Sequence, residues 1–212
     1  KIFYESNSPV DIKTENFCVS TKKSFNENLG LGYFNKLYKN RKDLEIIMPA
    51  LNKNSYNVKI CAEKNWNIAI SNFCSDEIID NHIENYLKYS KLSKKEALKK
   101  IKLTKLIYVN DDDKNLDDYI FSENSPHYKV VNTIFNKLKT YNKHNCFGNK
   151  IENSMDALRS VLLYGSSETI NEKLRYYKDR YGDLSSLIYV SVPKTGLNVY
   201  DNSLELFSKN VK

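Results

Sequence analysis

The chain has 212 residues, 41% of them hydrophobic and 28% charged, with a mean hydropathy of -0.60. That is ordinary globular composition, at a length that suits one domain or two small ones. The longest apolar stretches, 46–51 and 187–190, are strand-sized, far short of the roughly 18 to 20 residues a spanning helix needs, which excludes a membrane-spanning helix. Lys1 to Ser6 has no long apolar core of the kind a cleaved signal carries. The first residue is Lys rather than Met, which leaves open a fragment or a processed product.

Lys plus Arg number 33 against 26 Asp plus Glu, giving +7 and a pI near 9.0. Such a balance suits a nucleic-acid-binding module. Against it, lysine far outnumbers arginine, and abundant Asn, Ile and Tyr follow the pattern of AT-rich coding. The cations are also dispersed: Lys94-Lys95, Lys99-Lys100 and Lys102 alternate with apolar residues, as on a solvated helix face. The best nucleic-acid candidate is Tyr33 to Lys42, where aromatics interleave with cations; the same stretch serves equally as a loop with aromatic anchors. The balance argues against nucleic acid as a partner.

The four cysteines (Cys18, Cys61, Cys74, Cys146) form no CxxC pair and have no His at metal-ligand spacing, so no metal site is assigned. Cys61 falls in the apolar stripe of an expected helix and Cys74 just after an expected strand, both places for a small buried hydrophobe. Free thiols in a reducing, cytoplasmic compartment follow. His82, His127 and His144 lie far apart and read as surface or helix-end residues.

In chain order, Ile2-Phe3-Tyr4 and Asp11 to Thr14 are expected to pair across a turn containing Pro9, and Phe25 to Leu44 reads as an extended connection with Gly30 and Gly32. Residues 45–51 form a continuous apolar strand of the doubly buried kind. The polar run Asn52 to Ser55 is a loop and helix cap, followed by a short helix ending near Asn65. A strand over 67–73 precedes a helix from Asp76 to Tyr89, and Ser93 opens a helix through Lys100. A third strand, 103–109, ends in the acidic turn Asn110 to Asp113. Helical sequence occupies about 115–163, broken at Ser125-Pro126 and at 145–149. Gly165-Ser166-Ser167-Glu168 starts a helix that Gly182 ends, a fourth strand spans 185–192, and a last helix spans about 198–211. Apolar strands alternating with helices are the signature of a parallel α/β fold. No Gly-x-Gly-x-x-Gly or Gly-x-Ser-x-Gly motif is present, so neither a Rossmann fingerprint nor a hydrolase elbow is supported.

Several segments resemble the bacterial luciferase-like flavin-dependent monooxygenase family. Leu163 to Leu174, Tyr181 to Tyr189 and Ser203 to Phe207 resemble its closing helix start, last strand and final helix, with Ser167 where the family usually has Pro. Glu45 to Asn72 looks like its fifth strand, the following turn and helix, and its sixth strand. Leu106 to Asp111 resembles the seventh, and Lys1 to Tyr4 the hairpin before this half. The resemblance implies an α/β fold of the luciferase-like (β/α)8 TIM-barrel type, with this chain covering strands five to eight as a half-barrel. It implies a single domain over 1–212: a hairpin and extended connection over 1–44, then four β/α units with the helical insertion. The family's catalytic histidine lies in the other half, so the catalytic residues are unknown here. Either an N-terminal half precedes this sequence or the chain is a natural half-barrel. Four parallel strands leave open edges and an uncovered face, so an N-terminal half-barrel segment or a homo-oligomer is expected to close it.

The resemblance also implies FMN, reduced by a separate flavin reductase, and a small organic substrate oxidised with dioxygen. Ligands in such barrels sit at the C-terminal ends of strands, and phosphate prefers a helix N-terminus. The turn after the first long strand is placed for that: Lys53 supplies positive charge, while Asn54, Ser55 and Asn57 carry hydrogen-bond donors. By resemblance, Asn54 and Asn57 occupy the family's hydroxyl positions and Ser55 replaces its Pro. Ser71 and Asn72, at the end of the next strand, form a second cofactor-binding pair on the ring side. The Gly165-Ser166-Ser167 helix start is the alternative phosphate position. A non-catalytic flavin-binding or structural half-barrel subunit is the alternative function, and a basic nucleic-acid-binding module the second alternative.

Overall fold

A computed structural model describes residues 11–13, 15, 18–20, 45–111, 115–182, 184, 186–190 and 197–211. The expected strand Ile2 to Tyr4, the connection Phe25 to Leu44 with its basic aromatic stretch, and Asp112-Asp113 of the acidic turn lie outside the described residues. The chain divides into two compact units, Lys1–Glu45 and Ile46–Lys212. In the first, β1 (Asp11–Lys13) pairs antiparallel with β2 (Cys18–Ser20), setting Ile12 opposite Val19.

The second unit is built on a parallel sheet. Its strands are β3 (Ile47–Ala50), β4 (Asn67–Ile70), β5 (Ile101–Val109), β6 (Leu162–Gly165) and β7 (Ser186–Val190), and every pairing among them is parallel. The four expected strands are consecutive in space, in the order β3, β4, β5, β7. Lys102 stands opposite both Ala69 of β4 and Ser186 of β7, so these two strands flank β5 on opposite edges. Leu106 stands opposite both Leu162 and Val190, which places β6 on the β4 side, beyond the point where β4 ends. β6 corrects the sequence reading, which ran the helical insertion through Leu163. The upper edge of β5 would otherwise leave its backbone groups unpaired, and Leu162 and Leu163 bury their side chains there. β5 likewise begins at Ile101, not 103, because Ile101 is fully buried and pairs with Ile68.

The helices are α1 (Tyr56–Lys64), α2 (Asp76–Tyr89), α3 (Lys94–Leu98), α4 (Leu116–Ile120), α5 (Pro126–Thr140), α6 (Ser154–Val161), α7 (Ser167–Tyr181) and α8 (Leu197–Asn210), with a 3-10 turn at His144–Phe147. Local chemistry sets their limits. Asn65, left-handed at φ 57°, ends α1 with its N–H on the Ala62 carbonyl. Ser93 and Glu96 form a reciprocal capping box that starts α3. The helix ends at Leu98 instead of reaching Lys100, whose carbonyl accepts the Ile68 N–H where β5 begins. Ser125 caps α5 with Pro126 as its first residue.

Side chains alternate across the sheet. On one face Ala50, Ile68, Ile70, Leu103 and Ile107 are buried beneath helices. Lys105, on that face, reaches Asp76 of α2 and lies 5.0 Å from the Tyr177 ring of α7, so both helices cover it. The other face is half open among the described residues: Ile47 is 44% and Ile188 40% exposed, with Ala69, Lys102, Thr104 and Ser186 partly exposed between them. All-parallel sheets normally bury both faces, which makes this open face the unusual feature of the unit.

Gly165, the hinge from β6 into α7, has φ 140°, and a Cβ there would stand 2.8 Å from Thr169 Cγ2. Strain and overlap together set the expected cost of Gly165→Ala at about 3 kcal/mol, read from urea unfolding. A loss under about 0.5 kcal/mol would contradict this geometry.

Candidate functional site

Two strand-to-helix loops lie side by side at the C-terminal ends of the paired strands β3 and β4: residues 51–55, leading into α1, and 71–75, leading into α2. The expected cofactor residues lie on these two loops and the first turn of α1, and the structure divides them by task.

Asn54 is turned toward α2. It is left-handed, at φ 57°, and its backbone N–H donates to Asn81 Oδ1 at 2.8 Å. Asn81 Nδ2 donates back to Asn54 Oδ1 at 3.0 Å, and Asn85 Nδ2 to the same oxygen at 3.2 Å. One helical turn separates the two α2 asparagines, so both face the loop. Lys53 follows the same course, 3.0 Å from Glu77 Oε1 in a pair whose side chains are 37% and 48% exposed. Asn149 Nδ2 also donates to Glu77. An ion pair this exposed adds little stability, and its role is to place the lysine. Asn57 Nδ2 donates to the Pro49 carbonyl at 3.0 Å. Lys53, Asn54 and Asn57 therefore have partners inside the protein, where the sequence reading made them phosphate donors. Loop polar groups bond the nearest backbone or helix when folding brings one within reach.

Ser55 differs. It is the N-cap of α1, yet its side chain makes no capping hydrogen bond, and the first turn of α1 contains no acidic residue. Asn52 Oδ1 is buried with no partner among the described residues. Ser71 forms a tight turn: its Oγ accepts the Phe73 N–H at 3.3 Å and its carbonyl the Cys74 N–H at 3.0 Å. Asn72, beside it, is partly exposed. The Cys74 thiol donates to the Leu51 carbonyl at 3.3 Å, tying the two loops together.

The alternative phosphate position is closed to an anion. Asp111 accepts the Ser167 N–H at 2.6 Å and the Ser167 hydroxyl at 2.9 Å, so a carboxylate already occupies the positive end of α7. A phosphate there would meet like charge.

The histidines correct the sequence reading. His82 is fully buried on α2, neither ring nitrogen has a hydrogen-bond partner among the described residues, and burial lowers its pKa to about 4 against a weak opposing pull from the Leu51 carbonyl. His127 is also buried, its ring 4.9 Å from that of Tyr108, and burial lowers it to about 4 as well. Isolated histidines on helices carry no sequence signal of burial; the apolar neighbours of His82 at i−4, i−3 and i+4 (Ile78, Ile79 and Tyr86) are the nearest hint. Cys61, Cys74 and Cys146 are buried and free; burial raises Cys61 to about 11 and the other two to about 12, so all three stay protonated. Among the described residues no group of three or more His, Cys, Asp or Glu is arranged to hold a metal ion, and no helix is long and apolar enough to cross a membrane. The sequence reading also missed Glu77, Asn81, Asn85 and Asn149, whose role depends on which helix packs beside the loop.

The two neutral histidines make stability pH-dependent with a definite sign. The unfolded chain takes up protons near pH 6.5 and the native state only near 4, so the stability present above pH 6.5 is lost as pH falls toward 4. Each contributes on the order of 3 kcal/mol to that loss. The urea midpoint of His82→Leu should fall less steeply over this window than that of the wild type; parallel curves would refute the assignment.

No family model and no curated protein matches the sequence. Solved structures do match the fold. One is the oxygenating constituent of 3,6-diketocamphane monooxygenase, a type II Baeyer–Villiger monooxygenase from the CAM plasmid of Pseudomonas putida, in complex with FMN. It has a TM-score of 0.63 at 15% identity, over 96% of this chain and 57% of that one. Monooxygenase RslO1 from Streptomyces bottropensis gives 0.51 at 12% identity, over 81% of this chain and 48% of that one. An F420-dependent secondary alcohol dehydrogenase, in complex with an F420–acetone adduct, gives 0.54 at 12%, over 99% and 57%. The chain thus spans about half the length of these structures. At such identities the likeness establishes the fold: an α/β architecture with a parallel sheet, shared with luciferase-like flavin enzymes.

Proposed function

We propose that this chain is the flavin-holding part of a luciferase-like monooxygenase, a half-barrel carrying strands five to eight, which uses reduced FMN and dioxygen to oxidise a small organic substrate. The observation that carries the reading is the Ser55 hydroxyl, which makes no capping bond at the acid-free first turn of α1, at the C-terminal end of β3, in a fold shared with an FMN-bound monooxygenase. The residues fit the group. The first backbone N–H groups of α1 and the Ser55 hydroxyl are donors for a phosphate, the first turn of α1 itself holds no acid, and Lys53, paired with Glu77, brings a cation into the same loop. Asn52 Oδ1 is a buried acceptor without a donor among the described residues, and flavin ribityl hydroxyls are donors.

When bound, reduced flavin supplies the reaction with dioxygen. The chain's own work is positional. Asn54 is kept by Asn81 and Asn85 in the left-handed turn that precedes α1. Ser55 and Lys53 would hold the phosphate end, and Ser71 and Asn72, at the end of β4, would line the ring side. A cytoplasmic protein served by a separate flavin reductase is the setting this reading requires. An N-terminal half-barrel segment, or a second copy, would cover the open sheet face and keep water from the ring. That open face also favours a second reading, a non-catalytic flavin-binding or structural subunit.

Because Ser55 makes no capping bond, Ser55→Ala should leave unfolding nearly unchanged, which separates binding from stability. Ser55→Ala with Lys53→Ala should raise the FMN dissociation constant roughly tenfold or more in the complete natural protein, followed by flavin fluorescence. Unchanged affinity would remove the phosphate from this loop. FMN binding without turnover of reduced flavin and dioxygen would favour the non-catalytic reading.

A further inference from the structure

The crossovers of a parallel sheet run back against its strands, so α1 and α2 end near the level where β4 and β5 begin. Three segments meet at that end. Lys59 of α1 and Lys88 of α2 both lie over the Tyr89 ring, at 5.2 and 5.4 Å. Just after α1, the Trp66 carbonyl accepts the Tyr86 hydroxyl of α2 at 2.7 Å, and Lys64 Nζ lies 5.5 Å from the Trp66 ring. Just after α3, the Lys100 carbonyl accepts the Ile68 N–H at 3.0 Å.

Lysines that look dispersed along the sequence are gathered here. Residues 59–64 and 88–100 hold eight lysines against two acids, Glu63 and Glu96. Both acids are engaged: Glu63 pairs with Lys59 at 3.9 Å, and Glu96 accepts the Ser93 hydroxyl at 2.6 Å in the α3 cap. Glu84 lies a turn further back on α2. Lys64, Lys88, Lys91, Lys94, Lys95 and Lys99 are exposed, and none of them forms an ion pair among the described residues. Helix stability accounts for Lys64, Lys88 and Lys99, because a cation at a helix C-terminal end suits the dipole. It does not account for Lys94 and Lys95, which open α3, or for Lys91 before it.

The chemistry of the patch selects among anionic partners. These two segments contain no arginine, the residue whose planar fork reads single phosphates and carboxylates. Protein interfaces are likewise depleted in lysine and enriched in arginine. Separate ammonium groups on flexible stems need no fixed partner geometry, and a bilayer of mobile anionic headgroups imposes none. Trp66 and Tyr89, half-buried beneath their lysines, are the aromatic types that suit the headgroup level.

We propose that this lysine-rich end of the second unit docks on an anionic lipid surface by electrostatic attraction, without insertion. Loops 51–55 and 71–75, at the opposite ends of their strands, then face away from the bilayer. The proposal stands apart from the flavin reading, since no residue of the patch belongs to those loops.

Sedimentation of the complete natural protein with lipid vesicles is the test. Phosphatidylcholine vesicles containing about 30% phosphatidylserine should bind it, and pure phosphatidylcholine should not. Raising the salt from roughly 50 to 300 mM should weaken that binding tenfold or more. The combined variant Lys91→Gln, Lys94→Gln, Lys95→Gln and Lys99→Gln should lose a factor of about ten or more at the lower salt. The same loss of charge outside the patch, Lys129→Gln, Lys137→Gln, Lys143→Gln and Lys150→Gln, should cost less than about threefold. No binding to the anionic vesicles, or equal losses in the two variants, would overturn the patch. Patch-dependent binding of an oligonucleotide or of polyglutamate that exceeds vesicle binding at the same salt would overturn the lipid assignment. Should the first variant not fold, a loss of about tenfold in the second would still overturn the patch, and a small one would support it.

Discussion

One strand bears the hydrogen bonds of three others. β5 gives its lower half to β4 on one edge, its upper half to β6 on that same edge, and its opposite edge to β7. A parallel strand cannot reach its neighbour through a tight turn, so each of these pairings commits the chain to a crossover, and the crossovers are the helices. Where α2 and α7 lie, and hence where the loops leading into them lie, follows from β5.

The cost of that arrangement is concentrated at Lys105. Its place on β5 puts it under α2 and α7 at 1% exposure, and burial pushes its pKa down while Asp76 holds it up. Asp76 receives both the Lys105 ammonium at 3.3 Å and the Tyr177 hydroxyl at 2.7 Å, and the Tyr177 ring lies against the same ammonium. Breaking such a set by removing one partner leaves an uncompensated charge, whereas replacing all of it with apolar groups of like volume is often neutral. Its effect is to fix how α2 and α7 meet. Tyr181 and Arg180 of α7 repeat the pattern one turn along, on Asp80 of α2. With α2 so fixed, Glu77, Asn81 and Asn85 stand where the loop after β3 must pass.

The polar loop 52–57 shows how one composition serves two purposes. Three of its side chains are drawn into bonds with α2 or β3, and these set the turn. The Ser55 hydroxyl makes no capping bond. A loop that was all cap would leave no donor free, and one that was all ligand site would lack a fixed shape.

The sequence by itself determined the class of fold, because apolar runs of strand length and helices with capped starts are local properties. α2 spans Asp76–Tyr89 as its apolar spacing requires, although Ser75 makes no side-chain capping bond, and the four principal strands are parallel and adjacent as their apolar character requires. It also carried a resemblance to luciferase-like enzymes that the solved structures match at the level of fold. Tertiary structure alone decided the rest. β6 is a strand because β5 offers an unpaired edge at that height, although its residues continue an apolar helix pattern. His82 and His127 are interior because of which helices cover them, and Asp111 occupies α7 because Asn110 is held to Gly165. Asn54, Ser55 and Asn57 are the same kind of residue to a reader of sequence: polar, short and near a helix start. Their separation into clamp, free donor and strand tie depends on partners 8 to 31 residues away, and hydrogen-bond partners at that distance are set by packing, which no local pattern encodes.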